Sequence, residues 1–420
     1  MVPALSISDA AEVLRPPEDG LPYLRHDRAG ELGALPGTVE LRNGRIVALG
    51  GAGSGAVGAE SDLRIDASGC AVIPGFVDCH THLPFAGWRA EEYGQKVVGV
   101  PYEEIARSGG GIRSSARAFA QASDEEVLGQ ATGLAEEMLA HGTTTFECKS
   151  GYGLSIESET RALSLAGALR DRVSQDVTST ALVAHAVPDA INADGWITEV
   201  EARLPEVLAA GEVSALDIYV ESIAFDNTHL RRIGALATAQ GLDLRAHVEQ
   251  FSTNHSVPVA VELGARSVDH LACLPANEIE LLARSETAAV FLPGAEFLGD
   301  EHLAPARALS DAGAIGVIAT DLNPGTSPVA SIPLVIGLAV RRYRWSVREA
   351  LLACTLNAAW VLRRSDESGS LEVGKRADLL VLDGPIDAIP YRLGHNPVAI
   401  VIVAGEIAFV RPDHAWRIGR

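Results

Sequence analysis

Residues 71–82 read AVIPGFVDCHTH, an apolar run that ends in a cluster of polar side chains. The run Ala71–Val77 predicts a buried β-strand, because a short, continuous apolar segment is typical of a strand covered on both faces. His80 and His82 follow it two residues apart, and on an extended segment their side chains point to the same side. Two imidazoles on one side can bind one metal ion together.

Similar strand-like runs recur along the chain, and stretches with helical spacing separate them. The eight runs are Ala71–Val77, Thr143–Cys148, Val177–Ala184, Ala215–Val220, Leu242–Ala246, Ser267–Leu271, Ala288–Leu292 and Ile315–Thr320. The helical stretches include Asp124–Leu139, Glu157–Leu169, Thr198–Leu208, His229–Ala239 and Asn277–Ala283. Eight strand–helix units in about 250 residues predict an α/β fold, a (β/α)8 TIM-type barrel. A doubly wound open sheet is the alternative, because periodicity does not demonstrate closure.

The two ends of the chain read differently from the middle. Asn43-Gly44 between two short apolar runs predicts a β-hairpin. The C-terminal segment has comparable runs at 377–382, 398–403 and 407–410. We therefore expect a small composite β-sandwich built from residues 1–70 plus 366–420, beside a barrel domain over residues 71–365.

Polar residues cluster where the predicted strands end, which is where barrels of this kind carry their catalytic groups. The histidines at predicted strand ends are His80, His82, His185, His247 and His270. The eighth strand runs into Asp321. His247 and Asp321 could complete a site of three histidines and one aspartate around His80 and His82, with an open position for water.

Composition limits the classes of partner. The 420 residues carry a formal net charge of −21, which argues against nucleic acid or an anionic membrane as the main partner. Five scattered cysteines without a CxxC pair are typical of a reducing cytosol. The N-terminus lacks the pattern of a signal peptide, and no apolar run reaches 18 residues. We therefore expect a cytoplasmic protein that binds a small molecule.

A set of motifs in order along the chain is more specific than His-x-His alone. They are Pro74–Asp78, His80–Leu83, Phe85–Gly87, Arg89–Glu92, Tyr102–Ile105, Gly109–Ile112, Lys149–Leu154, Ala184–Pro188, Leu292–Ala295, Thr320–Asp321, Asn323–Gly325 and Tyr391–Gly394. With these motifs the chain resembles the imidazolonepropionases of the amidohydrolase superfamily, from about residue 74 to residue 400. That resemblance implies a metal-dependent hydrolase that opens the ring of 4-imidazolone-5-propanoate and gives N-formimidoyl-L-glutamate, in histidine degradation.

The resemblance also implies roles for individual residues. His80, His82, His247 and Asp321 would hold one Zn²⁺ or Fe²⁺ per chain. Asp321 would accept the proton of the attacking water, and His270 would hydrogen-bond the reacting oxygen. The implied substrate-binding residues are Arg89, Tyr102, Tyr152, His185, Gln250, Asn323, Gly325 and Thr326. The resemblance further suggests a homodimer. Lys149 ends the second predicted strand, where a metal-bridging carbamylated lysine is not expected, so we interpret it as structural.

Two departures from the family pattern leave alternatives open. Trp88 stands where an aspartate is usual, and Phe251–Val257 replaces a glycine-rich stretch. They motivate a sister amidohydrolase that acts on another carboxylate-bearing cyclic amide, thioamide or amidine. Gln250 cannot take a proton near neutral pH, so Glu249 is a candidate replacement base. A metal-free barrel that serves as a binding or scaffold protein is a further alternative, which predicts a broken ligand set.

Overall fold

The structure is a computed structural model that describes residues 4–51, 62–299 and 302–419, without the side chains of Tyr102 and Glu103. The strands are β1 Leu5–Arg15, β2 Gly33–Arg42, β3 Arg45–Gly51, β4 Leu63–Asp66, β5 Ala71–Pro74, β6 Phe76–Asp78, β7 Thr143–Lys149, β8 Asp176–Ala184, β9 Val213–Val220, β10 Asp243–Val248, β11 Ser267–His270, β12 Ala288–Phe291, β13 Gly316–Ile318, β14 Leu379–Leu382, β15 Val398–Val403, β16 Glu406–Val410 and β17 Ile418–Gly419. The helices are α1 Ala90–Val97, α2 Tyr102–Arg107, α3 Ile112–Gln121, α4 Asp124–Ala140, α5 Ile156–Arg170, α6 Ala193–Leu208, α7 Asn227–Gln240, α8 Ser256–Glu262, α9 Ile279–Arg284, α10 Pro293–Leu298, α11 Ala306–Asp311, α12 Ile332–Tyr343, α13 Val347–Ala353, α14 Leu356–Val361 and α15 Ala388–Tyr391. Short 3-10 helices cover His26–Glu31, Ala276–Glu278 and Pro412–Arg417.

The eight strands β6 to β13 form one parallel sheet in which each strand pairs with the next along the chain. The first and last strands approach through an isolated parallel bridge between Thr81 and Leu322. Asp78 strengthens this approach, since the hydroxyl of Thr320 donates to its Oδ2 at 2.6 Å. The predicted TIM-type barrel is thus confirmed, and it is nearly closed.

The predicted first barrel strand is in fact two strands that meet at Gly75. β5 pairs with β1 and β14 of the terminal sheet, whereas β6 pairs with β7 of the barrel. A Cβ on Gly75 would lie 2.1 Å from Oγ1 of Thr144, so only glycine allows this close passage between the two sheets. The sequence run concealed the division because both halves are fully buried and apolar.

Both termini contribute to a second, mixed sheet of nine strands in the order β16-β15-β14-β5-β1-β2-β3, with β4 paired to β1 and β17. The predicted hairpin joins β2 and β3, and Asn43 and Gly44 adopt the left-handed backbone that its turn requires. The apolar faces of these strands share one buried cluster, which includes Ile7, Leu379 and Ile402. The exact domain boundaries stay a prediction, and the pairing of β5 argues for one slightly beyond residue 70.

Helices cover the barrel where the spacing predicted them, and additional helices line its mouth. α4 begins with a capping box in which Ser123 and Glu126 bond reciprocally, as the sequence Ser-x-x-Glu favours. The segment between β6 and β7 adds α1, α2 and α3, which the periodicity did not separate. Within the described part of the chain, no helix combines the length and apolar character needed to span a bilayer.

Candidate active site

Three histidines from two barrel strands converge at the carboxyl ends of the strands. One nitrogen from each of His80, His82 and His247 lies within 4.8 Å of the other two. The Nε2 atoms of His82 and His247 are 3.4 Å apart. All three rings are buried. The same-side placement of His80 and His82, predicted from their spacing, brings both rings to one point.

Asp321 joins this group from the segment after β13. Its Oδ1 lies 3.2 Å from Nε2 of His82 and 3.5 Å from Nε2 of His80. The backbone N–H of Asp321 donates to the carbonyl oxygen of His80 at 3.0 Å, which fixes the two residues side by side. Asp321 has a φ of 55°, a strained value for an aspartate that is typical of functional sites.

Two buried carboxylates orient the histidine rings. Asp269 Oδ2 lies 2.5 Å from Nδ1 of His80, and Asp217 Oδ1 lies 3.1 Å from Nδ1 of His247. These contacts turn both Nε2 atoms toward the common point, the arrangement that orients metal-bound histidines. Among the described residues, Nε2 of His80 and Oδ2 of Asp321 are buried without a hydrogen-bond partner. These donors and their orientation fit a divalent metal ion.

Burial favours the neutral, metal-binding form of His80 and His82. Desolvation lowers the pKa of His80 and His82 well below the usual value, and the neighbouring cationic groups lower it further. Burial also lowers the pKa of His270 to about 3. Burial raises the pKa of Asp321, partly offset by His270 and His247. Three imidazoles and one carboxylate are a common donor set for Zn²⁺ or Fe²⁺.

A buried charge network lies inside the barrel, next to the histidines. Lys149 Nζ is 2.7 Å from Asp217 Oδ2 and 3.0 Å from Glu147 Oε2. Burial and Arg245 oppose the charged form of Lys149, but Asp217 and Glu147 outweigh them and raise its pKa. Carbamylation needs a neutral amine, so these ion pairs support the structural interpretation of Lys149.

The pocket above the histidines is lined by most of the predicted site residues. Its lining includes His82, Arg89, Ile112, Tyr152, His185, Tyr219, His247, Gln250, Phe251, His270, Asp321, Asn323 and Thr326. His185 stacks on His82 with ring centroids 5.1 Å apart, and its Nδ1 lies 3.0 Å from the carbonyl oxygen of Gly151. The adjacent Tyr152 ring lies 5.4 Å from His185. Aromatic and polar side chains therefore line the pocket beside the histidines.

Arg89 reaches the pocket through a gap that a glycine leaves open. A Cβ on Gly325 would lie 1.7 Å from a terminal nitrogen of Arg89. The backbone N–H of Arg89 donates to the carbonyl oxygen of Pro324 at 2.9 Å, and its Nε lies 3.5 Å from Glu92 Oε2. Gly325 itself is absent from the pocket lining, so its contribution in this structure is the space it leaves.

Asn323 organises the turn after β13. Its Oδ1 accepts the backbone N–H groups of Gly325 at 2.9 Å and Thr326 at 2.7 Å. Its Nδ2 donates to the carbonyl oxygen of Asp321 at 2.7 Å and to the Thr326 hydroxyl at 2.8 Å. Asn323, Gly325 and Thr326 stay predicted substrate contacts, and within the described residues the backbone N–H groups of Gly325 and Thr326 bond to Asn323.

The segment after β10 separates the roles of two neighbours. Gln250 lines the pocket. Glu249 does not, and its carboxylate accepts the backbone N–H groups of Asn254 and Ser256, both at 2.7 Å. Glu249 therefore holds the loop in place, which argues against it as a replacement base. Phe251, from the altered stretch, does line the pocket.

Trp88 lies outside the pocket, and the side chain of Tyr102 is not described by the structure. Trp88 is 49% exposed, packs on Phe85 and is not among the pocket-lining residues. It therefore gives little reason for a different ring substrate. Tyr102 begins α2, but its side chain lies outside the described part of the structure.

Three buried carboxylates in the strands next to the histidines were not predicted as site residues from the sequence. Asp217, Asp269 and Glu147 are all completely buried. A signal was present, because each is an acidic residue inside a strand-like run of the sequence. Such a residue is rarely buried without a partner.

Comparisons with known proteins agree with the geometry. A model of the amidohydrolase family matches residues 109–409. The imidazolonepropionase of Rubrobacter xylanophilus is 43% identical over 414 residues, which cover 96% of this chain and 98% of that protein. The imidazolonepropionase of Herpetosiphon aurantiacus is 41% identical over 407 residues, with 94% and 95% covered.

Solved structures share the fold at lower identity. A zinc-bound adenosine deaminase from Xanthomonas campestris has a TM-score of 0.73 at 21% identity, and 97% of this chain and 93% of that one are covered. A triazine hydrolase variant also has a TM-score of 0.73, at 17% identity with 96% and 94% covered. The extent and level of identity to the curated relatives decide the family. The chain belongs to the imidazolonepropionase family, within the amidohydrolases.

Proposed function

We propose that this protein hydrolyses the ring C–N bond of 4-imidazolone-5-propanoate and releases N-formimidoyl-L-glutamate, a step of histidine degradation. The observation that carries the proposal is the convergence of three imidazoles and Asp321 below a polar pocket that contains Arg89. Relatives with that activity in their names align over nearly the whole chain.

His80, His82, His247 and Asp321 would hold one Zn²⁺ or Fe²⁺ per chain. Neither Nε2 of His80 nor Oδ2 of Asp321 has a hydrogen-bond partner within the part of the chain that the structure describes, and this supports the assignment because buried polar atoms need one. An ion bound there supplies Lewis acidity and lowers the pKa of a coordinated water toward neutrality. Either metal suits the donor set, so its identity is decided by availability as much as by affinity.

Asp321 and His270 would manage the proton and the oxygen during hydrolysis. As water adds to the ring carbonyl carbon, the Asp321 carboxylate accepts its proton. The ring C–N bond then breaks, and the same proton passes to the leaving nitrogen. The neutral His270 donates a hydrogen bond to the carbonyl oxygen as negative charge develops there. His270 lies beside the ligands, with its ring centroid 5.4 Å from that of His247.

The remaining pocket residues would bind and orient the substrate. The planar guanidinium of Arg89 suits the propionate, because it can bond to both carboxylate oxygens. Tyr152, His185 and Gln250 would contact the ring through their polar atoms. Thr326 and Asn323 line the pocket. Gly325 leaves room for the Arg89 side chain. Tyr102 stays a predicted substrate contact.

The direct test is the loss of ultraviolet absorbance of freshly prepared 4-imidazolone-5-propanoate in the presence of purified, metal-analysed protein. We expect rapid loss with about one ion per chain, and no turnover after chelation until Zn²⁺ or Fe²⁺ is restored. His82→Gln, which removes one donor, is expected to lose both ion and activity. Trp88→Ala, outside the pocket, is the matched control and should retain both.

A substrate panel separates this function from that of a sister amidohydrolase. The alternative is supported by Phe251, which lines the pocket from the altered loop. The panel contains hydantoin, thioamide and amidine rings that carry a carboxylate chain. Turnover of one of these by metal-loaded protein, with none of imidazolone propionate, would overturn the proposal and favour the alternative. A protein that takes up no ion would support a binding role instead.

The homodimer and the cytosolic compartment stay predictions from the sequence. Light scattering on purified protein measures the mass directly, for which we expect twice the 44.1 kDa of one chain.

A further inference from the structure

We propose that Glu147 is a positioning residue that couples the orientations of His80 and His247 and thereby sets the affinity of the metal site. This inference rests on the ion assigned under the proposed function. Glu147 touches neither the pocket nor the histidines, so its effect would pass entirely through other side chains.

Glu147 occupies the middle of the buried network from β7. Its side chain is fully buried, and three groups contact its two carboxylate oxygens. The Thr180 hydroxyl and an Arg245 terminal nitrogen donate to Oε1. Lys149 Nζ lies 3.0 Å from Oε2. One carboxylate thus bridges the two cations of the barrel interior.

Each cation leads on to a different histidine. From Lys149, Nζ reaches Asp217 Oδ2 at 2.7 Å, and Asp217 Oδ1 reaches Nδ1 of His247 at 3.1 Å. On the other side, a terminal nitrogen of Arg245 lies 3.4 Å from Asp269 Oδ2, and the same oxygen is 2.5 Å from Nδ1 of His80. Glu147 is the residue at which these two chains of contacts meet.

The backbone around Glu147 contacts the ligand segment as well. The Thr81 hydroxyl donates to the carbonyl oxygen of Glu147 at 2.5 Å, and the backbone N–H of Lys149 donates to the carbonyl oxygen of Thr81 at 3.1 Å. Thr81 stands between His80 and His82 in sequence. The strand that carries Glu147 therefore also fixes the segment that carries both of these histidines.

The charge balance explains why Glu147 matters. In the intact network, the carboxylates of Glu147, Asp217 and Asp269 face the cations of Lys149 and Arg245. Without the charge of Glu147, Asp217 and Asp269 must neutralise both cations by themselves. Each cation would lose a carboxylate that it shares with the other, and the oxygens of Asp217 and Asp269 would be drawn toward the cations and away from the imidazoles. The histidines would then be held less firmly for the ion.

The test compares Glu147→Gln with the wild type in the full-length protein. Zn²⁺ affinity is measured by competition with a chromophoric chelator, and the visible spectrum of the Co²⁺-loaded protein reports the ligand geometry. We expect Zn²⁺ to bind about tenfold more weakly, at the lower end of the effect of groups that orient metal ligands. We also expect a changed Co²⁺ spectrum, which a loss of stability alone would not produce.

Glu296→Gln is the matched control. Glu296 is a buried glutamate that accepts the Tyr343 hydroxyl at 2.7 Å, but it belongs to α10 and is not among the residues that line the pocket above the histidines. It should lower the melting temperature and leave Zn²⁺ affinity unchanged. An equal affinity in the Glu147→Gln protein and the wild type would overturn the proposal, with the ion assignment intact. A wild type without bound ion would instead overturn the ion assignment itself.

Two milder substitutions, both at Thr180, test the same proposal if the Glu147→Gln protein does not fold. Thr180→Val removes the hydroxyl that donates to Glu147, whereas Thr180→Ser retains it. We expect a Zn²⁺ affinity about threefold weaker in the valine variant, because only part of the energy of this hydrogen bond reaches the metal ligands, and restoration in the serine variant. Equal affinities in the two variants would count against the role of Glu147.

Discussion

The carboxyl ends of the barrel strands and the terminal sheet are both deeply buried, but they differ in the kind of side chain that they bury. The barrel ends carry ionisable side chains and left-handed backbone at Glu249, His270 and Asp321. The terminal sheet packs aliphatic side chains such as Ile402. Burial therefore serves precise placement at the barrel ends and stability in the terminal sheet, because strain and buried charge persist only where the surrounding structure is rigid.

The largest effect is expected from Asp321→Asn. Asparagine has the same shape and tolerates the left-handed backbone of this position, but its amide cannot accept a proton. We expect kcat to fall by about 10³-fold, as for the loss of a general base. Urea unfolding should show little change in stability. Retention of activity within tenfold of wild type would remove Asp321 from the proton transfer.

Ile402→Ala tests the opposite region. Ile402 is completely buried in β15, and the truncation leaves a cavity that the neighbouring strands fill only in part. We expect the free energy of unfolding to fall by about 2–5 kcal/mol, measured in urea. kcat and KM at low temperature should stay unchanged, with Ile402→Val as the milder control. A selective loss of kcat would show that the sheet also shapes the pocket.

The pH dependence of the free energy of unfolding tests the effect of burial at His26, a histidine outside the pocket. Burial lowers the pKa of His26 from 6.5 to about 4, and its Nδ1 lies 2.6 Å from the Ser310 hydroxyl. In the unfolded chain His26 binds a proton below pH 6.5, whereas in the folded chain it stays neutral down to about pH 4. His26 therefore contributes about 3 kcal/mol to the free energy of unfolding above pH 6.5, and this contribution is lost as the pH falls from 6.5 to about 4.

The measurement is urea unfolding of wild type and His26→Gln at several values between pH 4 and pH 7.5. We expect the variant to show a shallower loss of stability on acidification. Parallel curves for the two proteins would mean that His26 titrates normally.

Gly325→Ala is expected to have the smallest effect, confined to substrate binding. The added Cβ would collide with the Arg89 guanidinium, while the backbone at this position is not left-handed and accepts alanine. We expect KM to rise about tenfold, as for a weakened hydrogen bond to a charged group, with kcat nearly unchanged. Arg89→Lys should raise KM similarly. An unaltered KM would show that Arg89 adjusts without loss of its contact.

The sequence predicted the barrel strands well, because their apolar runs are continuous and regularly spaced. It failed at Gly75, since the division there depends on how closely Thr144 approaches, which is a tertiary contact. It also failed to separate α1, α2 and α3. These helices are short, and no residue in α1 is buried, so they lack the apolar periodicity on which prediction depends.

The site was predictable to the extent that its residues follow strands. His80, His82, His247 and Asp321 follow or end strands and converge as expected. The local hydrogen bonds from Gly325 and Thr326 to Asn323, which shape the turn after the last barrel strand, could not be predicted from composition. The buried network around Glu147 depends on pairing across four strands, which the spacing within one strand cannot show.

The approach between the first and last barrel strands bears on how the protein is made. Thr320 and Asp78, which join the two strands, are 242 positions apart in the chain. His80 and His82 lie on one side of that junction and Asp321 on the other. A ribosome that has translated the first three-quarters of the message has produced all three imidazoles but not the carboxylate that completes the set. Assembly of the site therefore waits for nearly the entire barrel, and truncated translation products would lack it.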